Sequence, residues 1–176
     1  PETLKKLRKS LTIKETSIVI GLVGRISHWK GHRLLLEAFE DLYSNGYDIA
    51  LLFLGSPPPN QEHFLETLMD EIKKRNLSHK CSIVGFDSNI WQYFDLMDIV
   101  TVPSTEPEPF GLVTLEAMLS KKPVIASNHG GLSEIVVDNH TGFLFSPNNS
   151  EDLYLKTERL IKDKNKRNNF GENGYD

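Results

Sequence analysis

Short runs of apolar, β-branched residues recur along the chain, separated by longer segments in which apolar residues return every three or four positions. The short runs are continuously apolar, which is typical of strands buried on both faces of a parallel sheet. The longer segments have the spacing of helices that bury one face. We therefore predict that strands and helices alternate. The predicted strands span residues 17–23, 49–54, 81–84, 99–102, 124–126 and 142–145.

Two apolar stripes at helical spacing mark the longest predicted helices. They are formed by Leu34, Leu35, Ala38, Phe39 and Leu42, and by Phe64, Leu65, Leu68, Met69 and Ile72. Further helices are predicted at residues 90–96, 111–119, 132–137 and 152–162. This alternation implies a doubly wound α/β fold, a Rossmann-like parallel sheet of about six strands with right-handed crossovers. With no repeat and no long linker, residues 1–176 are predicted to form a single domain.

Composition narrows the possible partners. With 20 Lys and Arg against 24 Asp and Glu, the net charge is -4, so no overall positive field draws the chain to nucleic acid. The single cysteine, Cys81, excludes an internal disulfide framework and is typical of a reducing compartment. No apolar run has transmembrane length, and the histidines lack metal-ligand spacing, so no metal site is predicted. Because the chain begins with Pro1 rather than Met, we expect a piece of a longer protein.

Ligands of doubly wound sheets bind beyond the carboxyl ends of the strands, so the loops there are the candidate site. The loop after the first predicted strand contains Gly24, Arg25, Lys30 and Gly31 and enters a helix. Helix N–H groups favour an anion, and the two cations add charge for phosphate oxygens. The alternative interpretation is that Arg25 and Lys30 are only solvated charges of a surface loop. The loop has neither a dinucleotide fingerprint nor a P-loop pattern.

The loop after the fourth predicted strand is stiffened by proline and continues into a predicted helix that is apolar nearly all round. Such a helix is expected to be buried. Glu116 lies inside this apolar segment, and a buried carboxylate needs hydrogen-bond donors, which a ribose diol offers. The alternative is that the carboxylate of Glu116 is satisfied by a group of the protein and not by a ligand. Glu108 precedes the helix and is expected to face a ligand.

These segments resemble retaining glycosyltransferases of the GT-B fold, the large family that includes bacterial sugar transferases and sucrose and glycogen synthases. Glu108 and Glu116 match the E-x7-E element, and residues 24–31 match the diphosphate element. Residues 130–135 are similar to the family's Gly-Gly-x-x-Glu-Ile stretch, and residues 141–144 to the turn and strand that follow it. Residues 55–57, Gly-Ser-Pro, depart from the usual Gly-x-Gly.

The resemblance implies a role for each matching residue. Arg25 and Lys30 would neutralise the donor diphosphate, Glu108 would bind the donor sugar, and Glu116 would hold the ribose. The remaining implied donor contacts are Gly24, the loop of Gly85 and Phe86 beside the base, and the backbone of Phe110, Gly111, Leu112 and Val113. No metal or other cofactor is implied, because Arg and Lys would do its electrostatic work.

The resemblance also implies what the chain does not contain. It is similar to the C-terminal, donor-binding half of such an enzyme, so the implied partners are a nucleotide sugar and an N-terminal acceptor domain outside this sequence. We expect a transferase of polysaccharide biosynthesis, hexosyltransferase-like and cytoplasmic. A peripheral position at the inner membrane surface is left open for the full-length protein. The fragment alone is expected to bind nucleotide weakly and to transfer nothing.

Other functions stay open at this point. A regulatory domain that only binds a nucleotide would need phosphate and ribose contacts but no Glu108. A GT-B sugar-nucleotide epimerase or a phosphorylase is a further alternative, although no lysine stands out as the cofactor lysine of a phosphorylase.

Overall fold

A computed structural model describes residues 2–176, and Pro1 lies outside the described residues. Six parallel strands form one sheet in the order β3-β2-β1-β4-β5-β6. The strands are β1 Ile18–Val23, β2 Ile49–Leu54, β3 Cys81–Val84, β4 Ile99–Val102, β5 Val124–Ser127 and β6 Gly142–Phe145. The helices are α1 Glu2–Ser10, α2 His32–Ser44, α3 His63–Lys74, α4 Trp91–Leu96, α5 Leu112–Leu119, α6 Leu132–Ile135, α7 Ser150–Lys162 and α8 Lys164–Tyr175. The predicted Rossmann-like sheet is confirmed.

The order of the strands creates the crevice in which such folds bind ligands. The chain builds outward from β1 through β2 to β3, then returns across the sheet and places β4 on the other side of β1. The β1–β4 pairing joins Ile20 to Ile99 and Gly21 to Val100. The loops that follow β1 and β4 therefore leave the same edge of the sheet in neighbouring positions and diverge toward opposite faces.

The sheet separates two hydrophobic layers. On one face α2, α3 and α7 pack with residues such as Phe39, Ile72 and Leu153. On the other face α1, α4, α5 and α6 pack with residues such as Phe94 and Met118. Each strand contributes side chains to one layer or the other in alternation, which is why the strands read as continuously apolar.

The two predicted helical stripes need correction at their edges. Leu36 was left out of the first stripe but is fully buried, whereas Leu34 is only partly buried. Met69 was assigned to the second stripe, yet it is 55% exposed, while Leu68 and Ile72 are buried. Consecutive apolar residues make the buried arc of a helix ambiguous, and only the neighbouring strands decide which of them face inward.

The prediction that α5 is a buried helix was wrong. Leu112 is 64% exposed, Leu115 44% and Leu119 62%, and only Thr114, Ala117 and Met118 are buried. One face of α5 packs against the sheet. Gly174 of α8 packs against Met118 and covers a further part of the helix, and the rest of α5 faces solvent. An apolar sequence raises the chance of burial but does not supply a neighbour on every side.

Two terminal helices were not predicted as elements. α1 packs Leu4 and Leu7 onto the second hydrophobic layer while its lysines stay exposed, and Arg8 forms an ion pair with Asp98 at 3.7 Å. α8 is preceded by Asp163, whose carboxylate caps the helix by accepting from the N–H of Lys166 at 2.8 Å. The described helices include none that is both long and apolar enough to cross a membrane.

The corrected burial pattern predicts two different mutational costs. Leu36→Ala should lower the free energy of unfolding by about 2–5 kcal/mol, because it leaves a cavity against the fully buried core. Leu119→Ala removes the same atoms from an exposed position and should change the free energy of unfolding by less than about 0.5 kcal/mol. Urea denaturation measures both, and equal losses in the two variants would contradict the assigned burial of α2 and α5.

Candidate functional site

A cleft opens at the carboxyl edge of the sheet, where the strand order reverses. Its volume is about 580 Å³, and it is bounded by the loops after β1, β2 and β3 and by the start of α5. Six residues singled out in the sequence line it together: Gly24, Arg25, Phe86, Leu112, Val113 and Glu116. The others of that set, Lys30, Glu108, Phe110, Gly111 and Gly85, lie beside the cleft and not on its wall.

Arg25 is exposed and has no ion-pair or hydrogen-bond partner within residues 2–176. Lys30 differs, because its ammonium lies against the indole face of Trp29, 4.2 Å from the ring centroid, and donates to Glu108 Oε1. The two cations of this loop are therefore in different states: the charge of Arg25 is free to meet an anion, whereas that of Lys30 is already compensated.

Glu108 is more buried than the sequence suggested. It was expected to face the ligand from a loop, but its side chain is 6% exposed and paired with Lys30, which is 20% exposed. A carboxylate buried this far is stable as an anion only beside a cation or several donors, and Lys30 meets that need. The loops after β1 and β4 are thus joined by an internal ion pair.

Backbone contacts hold the same two loops together. The N–H of Thr105 donates to the carbonyl of Trp29 at 2.8 Å. Gly31 starts α2 with φ +84°, and a side chain there would place its Cβ 2.0 Å from the carbonyl oxygen of Pro103. Only glycine permits both the left-handed conformation and that approach.

The Gly130–Gly131 pair seats the backbone of Glu108. The N–H of Gly131 donates to the carbonyl of Glu108 at 2.7 Å. A Cβ on Gly130 would lie 2.7 Å from that same carbonyl oxygen, and a Cβ on Gly131 would lie 2.7 Å from the carbonyl oxygen of Pro109. The Gly-Gly stretch recognised in the sequence therefore positions the loop of Glu108 and does not itself line the cleft.

Glu116 points toward the cleft from the second turn of α5. It is half-buried, and its carboxylate has no hydrogen-bond or ion-pair partner within residues 2–176. Partial desolvation raises the pKa of its carboxyl above the ordinary value. The described part of the chain thus offers no structural partner for Glu116, the alternative considered above, and this carboxylate is available to accept from a ligand.

The loop after β3 is tied to the loop after β2. Ser56 Oγ accepts from the N–H of Phe86 at 2.8 Å, and the side chain of Phe86 is 79% exposed at the mouth of the cleft. A Cβ on Gly85 would lie 3.4 Å from Ser56 Oγ. Gly85 lines a neighbouring groove together with Cys81. Ser56 therefore lies between Gly85 and the cleft. For this reason Gly85 does not line the cleft, as the sequence had implied it would.

Several residues that line the cleft were not among the site residues expected from the sequence, although residues 55–57 were noted there as a departure from the family pattern. The wall beside Phe86 is completed by Ser56, Asp87, Ile90 and the run 57–59 of three prolines. Their position just after β2 and β3 was the available signal, since these loops leave the ligand-binding edge. The departure from Gly-x-Gly at residues 55–57 therefore gives a stiff proline wall to this side of the cleft.

A second cavity, of about 390 Å³, lies on the other side of the first loop between α2 and α3. It is lined by His32, whose two ring nitrogens have no hydrogen-bond partner among residues 2–176 and whose ring packs at a tilt against Phe53, with the ring centroids 5.3 Å apart. Burial, and secondarily the charge of Lys30, lowers the pKa of His32 from 6.5 to about 4. The imidazole is therefore neutral at physiological pH. Among residues 2–176, no group of three potential metal ligands occurs.

Comparison with known proteins identifies the family. A family profile described as "Glycosyl transferases group 1" matches residues 4–176. The lipopolysaccharide 1,2-N-acetylglucosaminetransferase of Salmonella typhimurium is 34% identical over 165 residues, which cover 90% of this chain and 43% of that protein. The capsular polysaccharide biosynthesis glycosyltransferase CapM of Staphylococcus aureus is 32% identical, over 90% of this chain and 40% of that protein.

Solved structures agree with this assignment. Anabaena HepE in complex with UDP-glucose superposes with a TM-score of 0.92 at 31% identity, over 99% of this chain and 47% of that chain. The C-terminal domain of a glycosyl transferase group 1 family protein from Francisella tularensis has a TM-score of 0.86 at 31% identity and is covered over 88% of its length.

This chain belongs to the group 1 glycosyl transferases and has the fold of their C-terminal, GT-B-type domain. It spans less than half the length of the Salmonella and Staphylococcus relatives.

The buried neutral His32 predicts a specific loss of stability in acid. The unfolded chain takes up a proton near pH 6.5 while the folded chain does so only near pH 4, so stability falls as the pH drops through this window. Between pH 7 and pH 5 the contribution of His32 to the free energy of unfolding should decrease by about 2 kcal/mol. His32→Gln should lose this part of the pH dependence in urea titrations. His63→Gln, at an exposed histidine, should keep it; identical profiles for both variants would refute the assignment.

Proposed function

We propose that this chain is the donor-binding domain of a retaining glycosyltransferase that moves a sugar from a nucleoside diphosphate to a hydroxyl of a glycan, lipid-linked or other acceptor. The observation that carries the proposal is the cleft at the β1–β4 switch point, where Arg25, the start of α5 and Glu116 converge, and where neither side chain has a partner among residues 2–176. A cation, a helix N-terminus and a carboxylate are the groups that bind a diphosphate and a ribose. Family membership and the HepE complex with UDP-glucose support the same assignment.

Each part of the donor has a matching part of the cleft. The diphosphate would lie between Arg25 and the first turn of α5, where the N–H groups of Leu112 and Val113 have no helical acceptor. The ribose hydroxyls would donate to Glu116. The base would rest against exposed Phe86, with Gly85 behind it. This order follows the cleft from α5 toward the loop after β3.

The chemical contribution of this domain would be to stabilise the leaving group. Breaking the bond between sugar and phosphate develops negative charge on the diphosphate, and cations already in place lower the energy of that state. Arg25 and Lys30 would supply the positive charge that stabilises the departing diphosphate, so we propose that no metal or other cofactor is required. Glu108, with the backbone from Phe110 and Gly111 onward, would orient the sugar. The proposal that transfer is retaining rests on the resemblance of Glu108 and Glu116 to the E-x7-E element of retaining glycosyltransferases.

The acceptor would be bound by a domain outside this chain. The relatives are about twice as long as their matching part, which fits a second domain facing this cleft. We propose that residues 1–176 form one donor-binding unit that binds nucleotide weakly by itself and transfers nothing. We further propose that the complete protein is cytoplasmic, with its acceptor deciding any peripheral position at a membrane.

Binding measurements with a matched pair of arginine variants test the proposal. Calorimetry of this chain with UDP-, GDP- and ADP-sugars should detect binding of at least one donor. Arg25→Ala should weaken that binding about tenfold or more, because a charge-assisted hydrogen bond to phosphate is lost. Arg33→Ala removes the same charge from an exposed position on α2 outside the cleft and should change affinity less than about twofold.

Two results would defeat the proposal. One is no detectable binding of any nucleotide or nucleotide sugar by the unaltered chain. The other is an equal loss in the Arg25 and Arg33 variants, which would show only a general effect of charge.

A further inference from the structure

The Lys30–Glu108 pair assigns Glu108 a role before any donor arrives. Glu108 Oε1 accepts from Lys30 Nζ, and both side chains are largely removed from solvent. Building on the proposed function, we propose that Glu108 is an internal anion that occupies Lys30 in the empty site and yields it only to a diphosphate that carries a sugar. Glu108 would thus set the preference for a nucleotide sugar over the free nucleoside diphosphate.

Burial makes the pair obligatory in the empty site. Within residues 2–176 neither Lys30 Nζ nor the Glu108 carboxylate has another hydrogen-bond or ion-pair partner. Moving either charge alone into this environment would carry a large desolvation penalty. The carboxylate therefore fills the position beside Lys30 that a phosphate oxygen would otherwise take.

A free nucleoside diphosphate gains little from this arrangement. To contact Lys30, its phosphate must either displace Glu108, which is then left buried and unpaired, or share the ammonium with Glu108 and lie close to that second anion. Like charges at short range in a desolvated site repel strongly. The nucleotide would retain its contacts with Arg25 and Glu116, but part of its binding energy would be lost to the displaced carboxylate.

A nucleotide sugar removes this penalty. Its sugar is bonded directly to the terminal phosphate, so its hydroxyls reach the region of Glu108 when the phosphate reaches Lys30. Hydroxyl groups donate to a carboxylate and satisfy it in place of the lysine. After transfer the sugar is gone, Glu108 regains Lys30, and departure of the nucleoside diphosphate is favoured. One buried ion pair would therefore select the substrate and assist release of the product.

The chain contains a matched control two residues away. Glu106 is in the same loop and its side chain is 62% exposed; within residues 2–176 the one group at ion-pair distance from its carboxylate is His28 Nε2, 3.6 Å away. Glu106→Gln removes the same charge as Glu108→Gln without touching Lys30. Any effect of net charge on anion binding appears in both variants, whereas the proposed competition appears only in Glu108→Gln.

Calorimetry at one fixed salt concentration measures the dissociation constants of UDP and UDP-glucose, with the GDP–GDP-mannose and ADP–ADP-glucose pairs in parallel. The pair that binds the unaltered chain best is used. Glu108→Gln should bind the free diphosphate about tenfold more tightly than the unaltered chain does. The affinity of this variant for the nucleotide sugar should not increase, so its preference for the nucleotide sugar over the free diphosphate should fall about tenfold. Glu106→Gln should stay within about twofold of the unaltered chain for both ligands.

A second variant covers the case in which glutamine beside a buried lysine prevents folding. Glu108→Asp keeps the charge but withdraws the carboxylate by one methylene, so it should fold and show an intermediate gain in diphosphate affinity. Unchanged diphosphate affinity in a folded Glu108 variant, or an equal gain in Glu106→Gln, would overturn the inference while leaving the donor site intact. If none of the chains bound any nucleotide, the proposed function itself would fail together with this inference.

Discussion

The site is organised by one buried pair of opposite charges, Lys30 and Glu108, which come from loops 78 residues apart in sequence. Neither charge is stable alone where it lies, so the loops after β1 and β4 must close on each other. The strand order makes this closure possible, because β1 and β4 are neighbours although β2 and β3 intervene in the chain. Glycines complete it: Gly31 lets α2 start beside Pro103, and the Gly130–Gly131 pair lets the chain pass against the backbone of Glu108.

The pairing of these two charges leaves a simple electrostatic pattern in the cleft. Among the described residues, 2–176, Arg25 at one wall and the partly desolvated Glu116 at another have no side-chain partner, and α5 begins with open N–H groups beside them. A protein of net charge -4 thus presents locally what a nucleoside diphosphate needs. The neutral His32 behind Lys30 fits the same pattern, because burial and the lysine charge together disfavour a second cation there.

The strands and the site loops were predictable because they depend on local pattern and on one general rule of doubly wound sheets. Continuous apolar runs located all six strands, and the rule located the loops with Arg25 and Phe86 and the start of α5, the helix that carries Glu116. Burial was harder to predict, since it depends on what lies opposite. The apolar sequence of α5 did not reveal that Leu112 and Leu119 face outward, and nothing in the spacing of Glu108 and Lys30 showed that they pair. Which charges pair over long sequence distances, and which side of a helix faces solvent, are decided only by the assembled fold.

The most direct test of the central claim is to map nucleotide binding onto backbone amides by NMR titration of this chain with UDP-glucose, GDP-mannose and ADP-glucose. A donor bound in this cleft should shift the amides of the residues that line it: Gly24, Arg25, Phe86, Leu112 and Val113. Amides of Ser10, His79 and Lys80, at the cavity on the opposite edge of the sheet, should stay unchanged. Shifts confined to that opposite edge, or to the cavity between α2 and α3, would contradict the assignment of the donor site.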